Sequence, residues 1–256
     1  MFSRRAFLGV VPALPLGLSA QAPTPPATPP APRFPAQDDD SVREIVGVSH
    51  NNLARVKELV NARPALARAS WDWGFGDWET AIDAASHVGN RPIVEFLIAN
   101  GARPTIFTAV MMGQLATVKG SIEATPGLQR MRGPHGLTMM SHARAGGEVN
   151  TEMVKYLEAL GDADPKYADL PLTEAEQGAI IGTYSFGPAA NDRLIVAKGT
   201  RWFSIERAGG SPRNLFHQGG LAFLPAGAEA VRIRIEPGGA ALVVEDGPFV
   251  MRAKRA

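Results

Sequence analysis

Three of the five histidines in the sequence stand where imidazole chemistry is conceivable. His50 and His87 fall at the ends of predicted helices, and His135 falls in a predicted turn. If these helices pack side by side, all three lie along one side of the structure, near Asp72 and Glu79. Imidazole can act as an acid, a base or a metal ligand near neutral pH. A polar cleft formed by these residues, and hence an enzyme, is one hypothesis for the function.

A metal or a cofactor has no local signature in the sequence. Neither H-x-x-x-H nor H-E-x-x-H spacing occurs, and these are the spacings that place two histidines on one helix face toward zinc. A glycine-rich phosphate loop, a nucleophile elbow and a paired-carboxylate pattern are also missing from the sequence. We therefore predict no metal ligand, no cofactor and no catalytic residue, and a protein that is not an enzyme.

The segment ASWDWGFGDW, residues 69–78, is unusually aromatic. It holds Trp71, Trp73 and Trp78, three of the four tryptophans, with Phe75 between them. Such rings dominate binding hot spots because they bury much area at small entropic cost. The alternative is that they fold back on the neighbouring helices, with the first two tryptophans on one side of a hairpin. We take these aromatic residues, with Asp72, Glu79 and the three histidines, as candidate binding residues.

Composition restricts the class of partner. The sequence has 26 Lys and Arg residues against 25 Asp and Glu residues, which gives a formal charge of +1. This balance lacks the basic excess typical of nucleic-acid binding. The sequence contains no cysteine, so disulfides, thiolate nucleophiles and Cys-ligated zinc are excluded.

The stretch from Glu79 to Pro104 predicts two short helices separated at Gly89 and Asn90, with Gly101 ending the second in a left-handed conformation. Less regular copies cover residues 42–64, 104–124 and 136–165. The apolar residues of the clearest copy recur at helical spacing in two runs: Ala81, Ile82, Ala84 and Ala85, then Ile93, Val94, Leu97 and Ile98.

This pattern resembles the ankyrin family over residues 40–166, as about four divergent repeats. Thr80-Ala81-Ile82-Asp83 stands where the family has T-P-L-H, and Gly161-Asp162-Ala163-Asp164-Pro165 resembles its G-A-D-P ending. The resemblance implies an α-helical solenoid whose concave face binds a protein or peptide, without catalysis. An irregular helical bundle with the same apolar periodicity is the alternative.

The first 39 residues predict export. Ser3-Arg4-Arg5-Ala6-Phe7-Leu8 resembles the twin-arginine motif, and a short apolar run and Ala20-Gln21-Ala22 follow it. The resemblance implies a bacterial signal peptide over residues 1–22 and a periplasmic or secreted protein without a stable membrane span after cleavage. Residues 23–39 are proline-rich and predict an extended linker.

Residues 171–256 change from helical spacing to alternation of apolar and polar residues. Eight short alternating segments predict an antiparallel β-barrel-like domain, and Thr173 with Glu176 predicts a capping box before it. The domain resembles the small lipocalin-like β domains appended to exported bacterial enzymes, which implies an accessory role. The residues that carry this resemblance are Leu172-Thr173, Gly182-x-Tyr184, Leu215-Phe216, Phe223-Leu224-Pro225 and Arg252.

Together these patterns predict an α + β protein of two domains, a helical solenoid followed by a small antiparallel barrel. Three functions follow as hypotheses. The first is an exported binding or scaffold protein that recognises a protein or peptide. The second is a carrier of a small apolar ligand in the barrel, unless the barrel is filled by its own side chains. The third is an enzyme that uses the histidine cleft.

Overall fold

The computed structural model describes residues 34–256, so the predicted signal peptide and most of the predicted linker lie outside the described residues. Helices occupy the first part of this range and strands the second. No helix in this range has both the length and the apolarity required to cross a bilayer. The helices are α1 (Asp39–Val48), α2 (Leu53–Ala62), α3 (Ala81–His87), α4 (Arg91–Ala99), α5 (Ile106–Met111), α6 (Leu115–Ala124), α7 (Met139–Ala145), α8 (Thr151–Leu160) and α9 (Glu174–Ile180).

Threonine caps set the start of three helices that lie beside one another. Thr80, Thr105 and Thr138 precede α3, α5 and α7, and each side chain accepts a hydrogen bond from the backbone N–H three residues later. Such a cap satisfies one of the unpaired N–H groups of the first turn and contributes about 1 kcal/mol. The cap residues of α3 and α5 also donate to the two carboxylate oxygens of Asp83, which joins the two helix starts.

The predicted ankyrin-repeat solenoid over residues 40–166 is wrong. The helices are short, from six residues in α5 to ten in α1, and helix α3 contacts both α5 and α7. In a solenoid each repeat contacts only its neighbours. At Gly89 the backbone after α3 approaches Ala145 so closely that a Cβ would lie 2.0 Å from the carbonyl oxygen. The helical apolar residues form two separate clusters, rather than the single continuous core of a stacked array.

The aromatic segment forms a two-stranded hairpin, β1 (Ser70–Asp72) and β2 (Trp78–Thr80), which pair antiparallel. Trp71 and Trp73 pack against the helical apolar cluster that includes α1 to α4. Phe75, at the hairpin tip with φ of 60°, packs against the barrel cluster instead. Trp78 is 63% exposed. The hairpin therefore joins the helical part to the barrel.

The predicted barrel is confirmed. Eight strands close in the order β10-β3-β4-β5-β6-β7-β8-β9, and every neighbouring pair is antiparallel. Closure leaves no unpaired sheet edge. The strands are β3 (Gly182–Ser185), β4 (Arg193–Lys198), β5 (Phe203–Arg207), β6 (Arg213–Gly219), β7 (Ala222–Pro225), β8 (Val231–Ile235), β9 (Ala241–Asp246) and β10 (Phe249–Arg255).

Alternation along the strands fills the barrel with side chains. In β8 the three aliphatic residues are buried and the two arginines are exposed, as the pleat of a strand requires. The capping box of Thr173 and Glu176 is confirmed at the start of α9. Ile180, the last residue of that helix, is fully buried in the barrel cluster, and the hydroxyl of Tyr184 donates to its carbonyl oxygen at 2.9 Å.

Replacing Ile233, which is fully buried in β8, tests this packing. We expect Ile233→Ala to lower the free energy of unfolding by about 3 kcal/mol, because it removes apolar contacts and leaves a cavity. Arg232→Ala, at the exposed neighbouring position, should cost less than about 1 kcal/mol. Urea denaturation measures both values, and equal losses would contradict the inward orientation of Ile233.

Candidate functional site

Four of the residues singled out in the sequence converge in space. They are His50, Glu79, His87 and His135, and one ligand atom from each lies within 4.8 Å of all the others. Each comes from a different local element: the turn after α1, strand β2, the end of α3 and the turn of residues 134–136. We call these four residues the His–Glu cluster.

The distances within the His–Glu cluster are short. The Glu79 Oε1 atom lies 3.0 Å from His87 Nε2 and 3.2 Å from His135 Nε2. His50 Nε2 lies 3.0 Å from His87 Nε2 and 3.7 Å from Glu79 Oε2. All three imidazoles therefore present the same ring nitrogen to one carboxylate.

Contacts on the outer side of two rings fix their orientation. His50 Nδ1 lies 2.8 Å from the Gly47 carbonyl oxygen, and His135 Nδ1 lies 2.8 Å from Asp77 Oδ2. A carbonyl and a carboxylate only accept, so Nδ1 carries the proton in both rings. In the neutral imidazoles the Nε2 lone pairs then point into the cluster, as is usual for metal-ligating histidines.

Glu79 is a buried carboxylate, with no exposed surface. Its Oε2 atom accepts a hydrogen bond from Trp73 Nε1 at 2.8 Å, whereas its Oε1 atom is buried and has no partner with acceptable hydrogen-bond geometry. Burial opposes ionisation of this carboxyl, but its contacts with His135 and His87 and the charge of His50 lower its pKa to about 2. Glu79 is therefore an anion at neutral pH, and its Oε1 atom is directed at the histidines.

The pKa values of His135 and His142 shift in opposite directions. Burial lowers the pKa of His135, but its contacts with Asp77 and Glu79 outweigh burial and raise this pKa to about 9. His142 is fully buried beside Phe107, and burial lowers its pKa to about 4. His135 therefore favours the cation, and His142 favours the neutral form.

Asp77 is a functional residue that the sequence reasoning missed. Its carboxylate, 2% exposed, accepts from the His135 backbone N–H and ring, each at 2.8 Å, and from Arg213 Nη1 at 2.7 Å. These partners lie 58 and 136 residues further along the chain, so no local pattern could reveal them. The backbone contact also fixes His135 at φ of 60°, which is uncommon for a residue other than glycine.

The cluster opens onto a cavity of about 320 Å³. His50, Trp73 and His135 form the wall on the side of the cluster, and the barrel residues Ser211 to Asn214 form the opposite wall. The side chains of His50 and His135 are 26% and 33% exposed, whereas that of His87 is 11% exposed. A small molecule can therefore reach the cluster from this cavity only past the first two rings.

The other predicted binding residues have different surroundings. Asp72 accepts from the Gly74 backbone N–H within its own turn, at 2.8 Å. Trp71 packs in the helical cluster, Phe75 packs on the barrel, and Trp78 is mostly exposed. Of the aromatic residues in the segment, Trp73 alone contacts the His–Glu cluster through a described hydrogen bond.

Removing the Asp77 carboxylate tests its structural role. We expect Asp77→Ala to lower the free energy of unfolding by about 3 to 5 kcal/mol, because it removes the one carboxylate that pairs with both the Arg213 guanidinium and the His135 ring. Asp72→Ala, which removes one contact within a turn, should cost about 1 kcal/mol. Urea denaturation of both variants measures the difference, and a loss below 1 kcal/mol for Asp77→Ala would contradict this role.

Comparisons with protein-family models, with curated protein sequences and with solved structures find no significant match.

Proposed function

We propose that this protein binds a divalent transition-metal ion, with Zn²⁺ as the best-fitting ion, through His50, Glu79, His87 and His135. The observation that carries the proposal is the convergence of His87 Nε2 and His135 Nε2 on the buried Glu79 Oε1 atom, which has no hydrogen-bond partner, with His50 Nε2 beside them at 3.0 Å from His87 Nε2. A buried polar atom without a partner is costly. A cation bound between these four atoms would remove that cost.

The spacing of the four atoms fits zinc. Zinc binds imidazole nitrogen and carboxylate oxygen at about 2.0 to 2.2 Å, so ligand atoms at the corners of a tetrahedron stand about 3.4 Å apart. The closest contacts in the cluster run from 3.0 Å to 3.7 Å, and all four ligand atoms lie within 4.8 Å of one another. The closest contacts are therefore at tetrahedral spacing, and the more distant atoms would have to move inward to complete the tetrahedron.

The donor types favour a transition metal over a hard cation. Imidazole suits zinc, copper, iron and nickel, whereas magnesium and calcium prefer all-oxygen sites. Here three of the four donors are imidazole nitrogens. The contacts of His50 with Gly47 and of His135 with Asp77 supply the outer hydrogen bonds that orient such ligands.

Access from the cavity supports a chemical role for the ion. Catalytic zinc leaves one position for water or substrate, and such a molecule would approach through the cavity that His50 and His135 line. A metal there would act as a Lewis acid on a bound small molecule, or lower the pKa of a bound water. Of the three functional hypotheses, this proposal develops the enzyme with a histidine cleft.

A serine-hydrolase triad is the competing chemistry for an Asp–His pair. Asp77 holds His135 as the aspartate of a triad holds its histidine. The other ring nitrogen, Nε2, lies 3.2 Å from the Glu79 carboxylate rather than against a hydroxyl nucleophile. This contact supports a metal site over nucleophilic catalysis.

The remaining sequence-based hypotheses stay predictions. Recognition of a protein or peptide partner has no specific contact in its favour, and periplasmic location depends on residues outside the described range. The hypothesis that the barrel carries an apolar ligand has little support, because side chains fill the interior of the barrel. A cavity of about 350 Å³ lies beside Phe75, against strands β4, β5 and β10 of the barrel.

Titration of the chelator-treated protein with Zn²⁺ tests the metal site. We expect one Zn²⁺ per chain, and His87→Ala should weaken the affinity at least 100-fold because it removes one of four ligands. His217→Gln is the matched control, since His217 lies in the barrel and bonds to the Leu170 carbonyl oxygen. Calorimetry measures the affinities, and equal weakening in both variants, or no binding by the unmodified chain, would overturn the proposal.

The indole of Trp73 provides a second test. Trp73→Phe removes the N–H that binds Glu79 Oε2, while it keeps an aromatic ring in the helical cluster. We expect Zn²⁺ affinity to fall about 10-fold, as is typical when an outer hydrogen bond to a ligand is lost. Trp78→Phe should leave the affinity unchanged, because Trp78 is exposed and makes no described contact with the cluster.

A further inference from the structure

A second cavity, of about 470 Å³, adjoins the first. The two cavities share His135, Asn214 and Ala226 as wall residues. The second cavity runs from these residues between the loop that follows α8 and the outer face of the barrel. A molecule in this second cavity would therefore lie next to the His–Glu cluster.

Three aromatic side chains form a row along this second cavity. The Phe216 ring lies 4.6 Å from that of Tyr167 and 5.7 Å from that of Trp202, between ring centroids. Phe216 projects from the outer face of strand β6, since its neighbours Leu215 and His217 are the buried ones. All three rings are half-buried, so they offer flat apolar surface that the core does not use.

A guanidinium group stands at each end of the row. Arg132 lies over the Tyr167 ring at 3.7 Å from its centroid, and Arg201 lies over the Trp202 ring at 4.4 Å. Both arginines line the cavity. Stacking of this kind holds the planar guanidinium while it leaves N–H donors free in the plane.

The positive charge of these two arginines is not neutralised by a carboxylate. Arg132 donates to the carbonyl oxygens of Gly136 and Pro165, which are uncharged. Arg201 makes no hydrogen bond or ion pair with any residue in the range 34–256.

The remaining charged residues of the wall leave it a net positive charge. Lys166 is paired with Asp164 at 2.6 Å. Asp169 accepts from the uncharged His217 backbone N–H, so its carboxylate offsets the charge of one of the two arginines. The charge that remains is cationic, and Arg201 is the donor available to a ligand.

We propose that this cavity binds a small molecule that has a planar ring and an anionic group. The ring packs on Trp202 and Phe216, and a carboxylate, phosphate or sulfonate receives hydrogen bonds from Arg201. Charge-assisted bonds of arginine to such anions are strong and directional. Binding in this cavity is independent of the metal; that the bound molecule is the substrate of the metal centre rests on the proposed function.

Ligand pairs that differ only in charge test the site. We expect the chelator-treated protein to bind 2-naphthoate about tenfold more tightly than 2-naphthamide, its neutral analogue, because one charge-assisted bond is lost in the amide. 2-Naphthyl phosphate, measured alongside, shows whether the site prefers a phosphate to a carboxylate. Calorimetry gives the affinities. Equal affinity for the naphthoate and the naphthamide, or no binding of either anion, would overturn the proposal.

Two variants locate the binding. Arg201→Gln should weaken 2-naphthoate about tenfold and leave 2-naphthamide unchanged, whereas Trp202→Leu should weaken both, because it removes the stacking surface. Arg193→Gln and Trp78→Leu are matched controls, since both residues are exposed and neither lines this cavity. Unchanged affinities in Arg201→Gln and Trp202→Leu would place the ligand elsewhere and overturn the proposal.

The same titration in the His87→Ala variant separates this proposal from the metal site. We expect 2-naphthoate to bind His87→Ala as tightly as the unmodified chain, because His87 does not line the second cavity. Loss of Zn²⁺ binding with retained naphthoate binding supports two neighbouring sites. Loss of naphthoate binding in His87→Ala would contradict an independent ring-and-anion site. If the unmodified chain binds 2-naphthoate but no Zn²⁺, the proposed metal site is wrong and the second cavity is still a ligand site.

Discussion

The carboxylate of Asp77 is the interaction on which the rest of the structure depends. It binds both the backbone N–H and the ring of His135 and accepts from Arg213 on strand β6, so one buried group ties the hairpin, the turn before α7 and the barrel together. Packing around it is close: a Cβ on Gly227 would lie 2.8 Å from Asp77 Oδ1. A buried carboxylate is stable only when paired, so this group holds the helical part and the barrel in a fixed relation.

A second buried carboxylate, Glu79, is only partly satisfied by its neighbours. One of its oxygens, Oε2, accepts a hydrogen bond from Trp73. The other, Oε1, lies close to two imidazoles but forms no hydrogen bond of good geometry with them. The rings and the anion satisfy each other incompletely, because each ring offers either a lone pair or a single proton at Nε2. In the proposed metal site a divalent cation would accept all four lone pairs at once, after His135 gives up its Nε2 proton, which a proton-sharing network cannot achieve.

Local patterns in the sequence reach a defined limit. The threonine caps, the apolar faces of the helices and the alternation in β8 follow from local spacing, and all are present. The approach of His50, His87 and His135 to Glu79 could be anticipated, because helix ends on one side of a packed array lie close together. The periodicity of apolar residues does not determine which helix pairs contact each other. The contact of α3 with α7 is one that the predicted solenoid does not allow. A metal signature was missing because each ligand comes from a different element, and Asp77 was missed because its partners are distant in sequence.

The position of the cleft explains why one chain needs both parts. One wall of the first cavity, beside the His–Glu cluster, belongs to the helical part through His50 and His135. The barrel forms the other wall through Arg213 and Asn214. The proposed ligand on the rings of Phe216 and Trp202 would reach the proposed metal of the helical part only if the two walls keep their spacing. The bond between Asp77 and Arg213 sets that spacing at the edge of the first cavity. In the proposed function the barrel, which the sequence predicts as an accessory domain, would supply one wall of the site.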